Sequence, residues 1–350
     1  MYRNSTGFKV FKFIGSVILF ILLASLYSCK QKATRPEAEK HLRAFDAGLI
    51  KMALSIKNTV SISLLQEMAA VKNAPLPILS NHQLPQGILS GFVFDTLKGI
   101  YTYDSTSLSY VKTGLSDSII VNYHSTQYQN NPVRFIISGY ATNSANYTSW
   151  LPERINALLI VDNKEIMTID HHISYRSGFP IKGSTIITME NFTIIARFNT
   201  RIRLGYGKVL VDFSIEHNNK EQLRLNTSIK ARYSHPGSYV VKSLKFKLKG
   251  FPITTKGKIN IKGIKKSNRG LASALNRHSS LRIFKYNDRI ELGQLTFVVQ
   301  ENPDLLMPAL EFNDGTQTRL EEFLLLPDQM TRFFQKNNFY FDSGSEWNSN

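Results

Sequence analysis

Three kinds of side chain in this sequence could do chemistry: one thiol, one pair of adjacent histidines and a dense run of lysines. Cys29 is the only cysteine in 350 residues. It follows an apolar run from Phe13 to Tyr27, which is itself preceded by Arg3, Lys9 and Lys12 and by no acidic residue. Asp170, His171 and His172 stand together in "IDHH", and a carboxylate beside two imidazoles is a metal-ligating set if all three converge. The surrounding "EIMTIDHHISY" alternates with period two, so on a strand Asp170 and His172 point one way and His171 the other. Two imidazoles on opposite sides of a strand do not share one ion. The remaining histidines, His41, His82, His124, His217, His235 and His278, are isolated in the sequence. There is no HExxH, no GxSxG, no Walker loop and no glycine-rich fingerprint. No catalytic residue, metal ligand or cofactor is nominated, and the reading leans away from an enzyme.

The lysines are better organised. In "LKFKLKG", Leu244, Phe246 and Leu248 face one way and Lys245, Lys247 and Lys249 the other, the pattern of a half-buried strand. "KGKINIKGIKK" repeats it, with Ile259 and Ile261 opposed to Lys258, Asn260 and Lys262. From Lys242 to Arg269 the chain carries ten basic residues and no acidic one. Lys245, Lys247, Lys249, Lys258 and Lys262 are therefore the expected contacts of an anionic surface. The whole chain is also basic, with a formal charge of +17. In a cytosolic protein such a strip would suggest nucleic acid; the plainer reading is a solvated face whose lysines blunt a sheet edge.

The first 29 residues choose among these partners. A positive stretch followed by an apolar run shorter than the roughly 20 residues of a membrane span is the pattern of a secretion signal. Leu26-Tyr27-Ser28-Cys29 resembles the lipobox of bacterial lipoproteins, in which a small residue precedes a cysteine that is acylated and becomes the new N-terminus. The resemblance implies removal of residues 1–28, a palmitate-type anchor on Cys29 and a place in the cell envelope. Removing Arg3, Lys9 and Lys12 with the leader leaves +14, and with Cys29 acylated no thiol remains for a disulfide. Export argues against nucleic acid and leaves anionic lipid headgroups, lipopolysaccharide phosphates and acidic glycans as the polyanions. "KQKATR" has neither the aspartate of inner-membrane retention nor the acidic cluster of surface export, which implies the periplasmic face of the outer membrane.

Residues 29–35 read as a tether and 36–72 as a helical segment. Thr34 and Glu37 have capping-box spacing, Pro36 falls in the first turn, and Leu42, Phe45, Leu49, Met52 and Ile56 form one apolar stripe. The scattering of charge favours packing on a sheet over lying in a membrane, with a break near Asn58. Residues 73–90 are a proline-rich linker or loop. Residues 91–300 turn to period two, rich in Val, Ile, Thr, Tyr and Phe, with turn signals at "VDNKE", "HNNKE" and "HPGS". The short spacings favour antiparallel hairpins. Residues 301–340 read as a strand and a helix, with Thr318 and Glu321 at capping-box spacing, packing on the β domain, and 341–350 as a disordered tail. The expected fold is α+β: one large, curved antiparallel sheet, half-barrel or sandwich-like, with an N-terminal helix and a C-terminal amphipathic helix.

With its lipobox and long strand pattern, the chain resembles the uncharacterised lipoproteins of Bacteroidetes. Asp-Ser/Thr-apolar triplets at Asp95, Asp104 and Asp117 resemble the O-glycosylation sites of that lineage. At the level of architecture it also resembles lipid carriers of the LolA and LppX kind, in which helices close the concave face of a half-barrel. The second resemblance implies an apolar ligand or a scaffolding role and no enzymatic activity. Tyr101, Tyr103, Tyr110, Tyr123, Tyr128, Tyr140, Tyr147 and Trp150 offer an alternative, a carbohydrate-binding lipoprotein of a glycan-uptake system that stacks sugars on exposed rings. A hydrolase is the third reading: "IDHH" resembles a signature of two-metal phosphoesterases, but the separate aspartates of that family have no counterpart here.

Overall fold

A computed structural model describes residues 32–71, 74–75, 94–142, 152–176, 179–203, 205–235, 238–267, 269–301 and 304–323. The leader, Cys29, most of the proline-rich linker, Tyr147, Trp150, the expected C-terminal helix beyond Phe323 and the tail lie outside the described residues.

The N-terminal helical segment is two helices, α1 (Arg35–Lys57) and α2 (Val60–Ala70), bent by 57° at the expected place. The bend has a local cause. Thr59 is extended, and its hydroxyl donates to the Ile56 carbonyl at 2.8 Å while accepting from the Ile62 amide at 3.3 Å, ending one helix and capping the next. The expected capping box at the start of α1 is not formed. Thr34 makes no side-chain cap; the Ala33 amide instead donates to the Glu291 carbonyl at 2.9 Å, and Asn313 Nδ2 donates to the Ala33 carbonyl at 3.1 Å.

The rest is one open, mixed sheet of sixteen strands. A short helix, α3 (Phe94–Leu97), leads into β1 (Gly99–Asp104), β2 (Ser109–Gly114), β3 (Ile119–His124) and β4 (Pro132–Thr142). Next come β5 (Pro152–Val161), β6 (Lys164–Arg176), β7 (Phe179–Met189), β8 (Phe192–Arg203) and β9 (Tyr206–His217). The sheet continues through β10 (Lys220–His235), β11 (Ser238–Gly250) and β12 (Ile253–Ile259). After helices α4 (Ile261–Lys265) and α5 (Leu271–His278) it resumes with β13 (Ser279–Lys285), β14 (Glu291–Glu301), β15 (Asp304–Glu311) and β16 (Gln317–Arg319). From β3 to β16 every strand pairs antiparallel with its sequence neighbour, and only β1 on β3 is parallel. Two turn signals hold as read: Asp162-Asn163 and Asn218-Asn219 are two-residue hairpin loops with φ of 48°, 60°, 51° and 60°, the left-handed values a type I′ turn requires.

Three local expectations differ. The chain leaves the sheet at Asn260, whose side chain caps α4 by accepting from the Gly263 amide at 3.1 Å, so Ile261 and Lys262 are helical and do not extend the lysine-bearing strand. Thr318 lies in β16 and Leu320–Glu322 is a single 3-10 turn, so no capping box starts a helix there. Residues 304–319 continue the main sheet as β15 and β16 instead of packing on it as a separate layer.

Both helices lie on one face of the sheet. Leu64 and Met68 of α2, both fully buried, pack with Val121, Phe135, Leu159, Met167 and Met189 of β3 to β7. Leu42 and Phe45 of α1 pack with Ile253, Ile283, Leu292 and Leu310 of β12 to β15. Leu223 touches both clusters. β14 and β3 are eleven strand spacings apart, about 53 Å at ~4.8 Å each, and helices of 23 and 11 residues have a contour of about 51 Å. Bent by 57°, the pair measures about 46 Å end to end, somewhat less than that flat-sheet distance, and its side chains lie in both clusters. It crosses near the hairpin loops at one end of the strands: Ser61 bonds Glu190 and the Ile166 carbonyl, and Phe45 packs against Gly250.

Candidate functional site

The strand places the "IDHH" residues as its alternation requires. His171 lies opposite Ile155 and Thr185, on the helix side of β6, while Asp170 and His172 point to the other side. His171 is engaged at both nitrogens, with Nδ1 2.8 Å from Thr185 Oγ1 and Nε2 3.0 Å from the Pro152 carbonyl. Among the described residues no group of three or more His, Cys, Asp and Glu is placed to hold a metal.

The tyrosines are packing residues. Tyr101, Tyr110 and Tyr123 are buried, and Tyr103, Tyr128 and Tyr140 pack against the same cluster. The Tyr123 hydroxyl donates to the Leu64 carbonyl at 2.9 Å, and the Tyr110 ring stands edge-on to both Tyr103 and Tyr123. Six of the eight rings that could have formed a sugar platform are thus committed to the interior and the sheet.

Two other features of the central strands remain unexplained by packing. On the helix side, the register aligns Gly183, Phe198, Val211, Thr227, Phe246 and Gly257 in one rung across β7 to β12. The Phe198 ring lies over Gly183 and the Phe246 ring over Gly257, closely enough to leave no room for a Cβ at either glycine. The next rung, away from the helices, runs Thr200, Val209, Ile229, Leu244 and Ile259. All these residues but the buried Gly183 are partly exposed, and none belongs to either core cluster. An open depression of about 650 Å³ over β7 to β10 includes Gly183, Phe198, Val211 and Thr227 from this side, but most of its lining, Lys182, Ser184, Arg197, Asn199, Leu210, Asp212 and Asn226, belongs to the other.

On the opposite face the corresponding rungs are basic. Lys247 lies directly opposite Lys256, which lies opposite Arg282; one rung further, Lys245 lies opposite Lys258. The nearest acids are already engaged. Asp212 receives Arg224 through two bonds of 3.0 Å and Asn226 at 2.6 Å, and Glu291 is 3.4 Å from Arg282. Lys245, Lys247, Lys249, Lys256 and Lys258 have no ion-pair partner among the described residues. Burial, then the like charges of Lys249 and Lys256, hold the Lys247 ammonium below the ordinary lysine value. Like charges directly opposed in a sheet destabilise it, so this arrangement is not what packing alone would select.

Four of the five expected lysines are therefore brought onto one face, and Lys262 sits apart on α4. Lys256 and Arg282 complete the face. The "KGK" alternation carried the signal for the first, whereas Arg282 joins only through pairing of β12 with β13. The apolar rungs were not legible at all as a site, because each strand contributes a single ordinary residue. Compared with known proteins, the chain matches no protein family, no curated protein and no solved structure.

Proposed function

We propose that this chain is a lipid-anchored, non-enzymatic protein of the bacterial envelope, held at the periplasmic face of the outer membrane by acyl chains on Cys29. Its apolar rungs receive an acyl-chain type of ligand. The observation that carries this reading is the pair of apolar rungs on β8 to β11 that neither core cluster contains. Residues laid over glycines give that face a shallow, continuous apolar floor, and each ligand methylene taken out of water there contributes about 0.8 kcal/mol. Helices α1 and α2 lie on the same side of the sheet at one end of the strands, and α4 and α5 contact β11, β13 and β14 at the other end, which leaves the floor on β8 to β10 between them.

The test is lipid extraction from the purified acylated protein, read by mass spectrometry. A lipid in near-stoichiometric amount is expected beyond the covalent chains, which stay with the protein mass. Replacing Phe198 and Ile229 together by Thr, which suits a strand but makes the floor polar, should strongly reduce it while lowering the melting temperature only modestly, because neither residue is part of a core cluster. An extract without lipid, or equal lipid in the variant, overturns the reading.

A further inference from the structure

We propose that the lysine-bearing face is the side this protein turns toward the anionic leaflet in which Cys29 is anchored, so that lipid anchor and basic ladder attach the body at two points. The inference rests on the acylation of Cys29 proposed above and on three observations.

The first is the shortness of the tether. Lys32 is bridged to Glu291 of β14, and Ala33 is fixed by its bonds to Glu291 and Asn313. The three residue steps from Lys32 back to Cys29 reach only about 10 Å at full extension. A long linker would let the body tumble at a distance; this one keeps the β14 end of the sheet at the headgroups.

The second is where that end lies. Glu291 is opposite Phe284, Phe284 opposite Thr254, and Thr254 opposite Lys249. At ~4.8 Å per strand and ~3.4 Å per residue, Lys245, Lys247, Lys249, Lys256, Lys258 and Arg282 all fall within about 20 Å of Glu291. The anchor thus delivers the ladder to the membrane surface and not the far edge of the sheet.

The third is charge. Two pairs of lysines, Lys245 with Lys258 and Lys247 with Lys256, sit directly opposite one another, Lys256 also lies opposite Arg282, and the nearby acids are already engaged by Arg224 and Arg282. Phosphates of lipid headgroups supply the missing counter-charge. Acyl chains on Cys29 already hold the body at the bilayer, so attraction of the basic ladder to anionic headgroups decides which face it turns toward them. The helix side lacks such a ladder: along α1, Arg35, Lys40, Arg43, Lys51 and Lys57 are interspersed with Glu37, Glu39 and Asp46, and Arg35 is paired with Glu39.

The experiment uses the full acylated protein in vesicles of phosphatidylcholine, with or without phosphatidylglycerol, and reads the rate of lysine modification by an amine reagent through peptide mass spectrometry. The five ladder lysines should be modified several-fold more slowly in the anionic vesicles, and the difference should vanish at high salt, while Lys40, Lys51 and Lys57 react equally in both. Lys258→Glu places an acid opposite Lys245. It should raise the melting temperature and at the same time abolish most of the ladder protection, because it removes two units of charge and each weakens the attraction about five-fold, which a misfolded variant would not do. Equal modification in both vesicles with Cys29 acylated overturns the docking face alone, as does protection that shifts to α1. An unmodified Cys29 in the intact mass overturns the anchor and this inference together.

Discussion

Tyr110 and Tyr123 are neighbours in the same cluster with different hydrogen bonding. The Tyr123 hydroxyl has the Leu64 carbonyl, whereas the buried Tyr110 hydroxyl has no partner among the described residues. Burial first, and the negative charge of Glu67 second, raise both phenols well above the ordinary value of 10.0. The sign of the consequence follows from which state releases protons first. Below the ordinary value both states are neutral and these rings give no pH dependence. Above it the unfolded chain ionises while the folded one does not, so stability falls by up to about 1.4 kcal/mol per pH unit for each ring. Urea midpoints measured across this range should decline once the pH passes the ordinary tyrosine value, and the Tyr110→Phe, Tyr123→Phe double variant should decline less steeply. An unchanged slope would assign alkaline unfolding to other groups. At neutral pH the two single changes should differ as well: Tyr123→Phe costs about 1 kcal/mol, and Tyr110→Phe, which removes an unsatisfied buried hydroxyl, costs little or stabilises.

At the scale of elements, α2 is held by side chains more than by its own propensity. Glu67 accepts from Ser125 Oγ at 2.6 Å and from the amide and hydroxyl of Thr126 at 2.8 Å each, tying α2 to the loop between β3 and β4. Glu190 accepts from the amide and hydroxyl of the fully buried Ser61 at 2.8 and 3.0 Å, tying its other end to the loop between β7 and β8. Glu67→Ala should therefore cost about 1.5–3 kcal/mol in urea unfolding, more than a typical surface change, and an effect below about 0.5 kcal/mol would show that apolar packing alone seats the helix. The elements themselves were largely legible. Period-two runs, the Asp-Asn and Asn-Asn loops and the weak spot at Asn58 are local signals, and each corresponds to the structure. What was not legible is non-local. Nothing near Thr34 tells that its helix starts from a bridge to residue 291, and nothing in "INIKG" tells that Asn260 will cap a helix and not continue a strand. The basic face was half legible for the same reason: alternation assigns Lys245, Lys247 and Lys249 to one side of one strand, but only the pairing of β11 with β12 sets Lys247 against Lys256 and not against an acid.

At the scale of the molecule, a sixteen-stranded open sheet is covered by α1 and α2 near one end of its long strands, with α4 and α5 against β11, β13 and β14 near the other, and its two core clusters share only Leu223 at their margin. Stability in such a sheet should be graded along the strands, because local opening is opposed chiefly by the apolar burial it would undo. β8, β9 and β10 cross this gradient. Phe192 and Ile215, near the helices, are buried in the first cluster, while Thr200, Val209 and Ile229 of the same strands belong to neither. On β9 a backbone ladder runs on both sides at either end, with Phe213 to Ile215 and Lys208 to Val209 each paired to β8 and to β10, so a difference in amide exchange between them reports opening and not exposure. Amides of Phe213 to Ile215 should exchange at least ten-fold more slowly than those of Lys208 and Val209, a gap of about 1.4 kcal/mol. If the apolar floor takes an acyl ligand, adding that ligand should slow exchange selectively in the faster set, because burial is then supplied where the helices do not provide it. Uniform exchange along the strands, with or without ligand, would mean that the sheet opens as one unit and that its outer rungs need no cover.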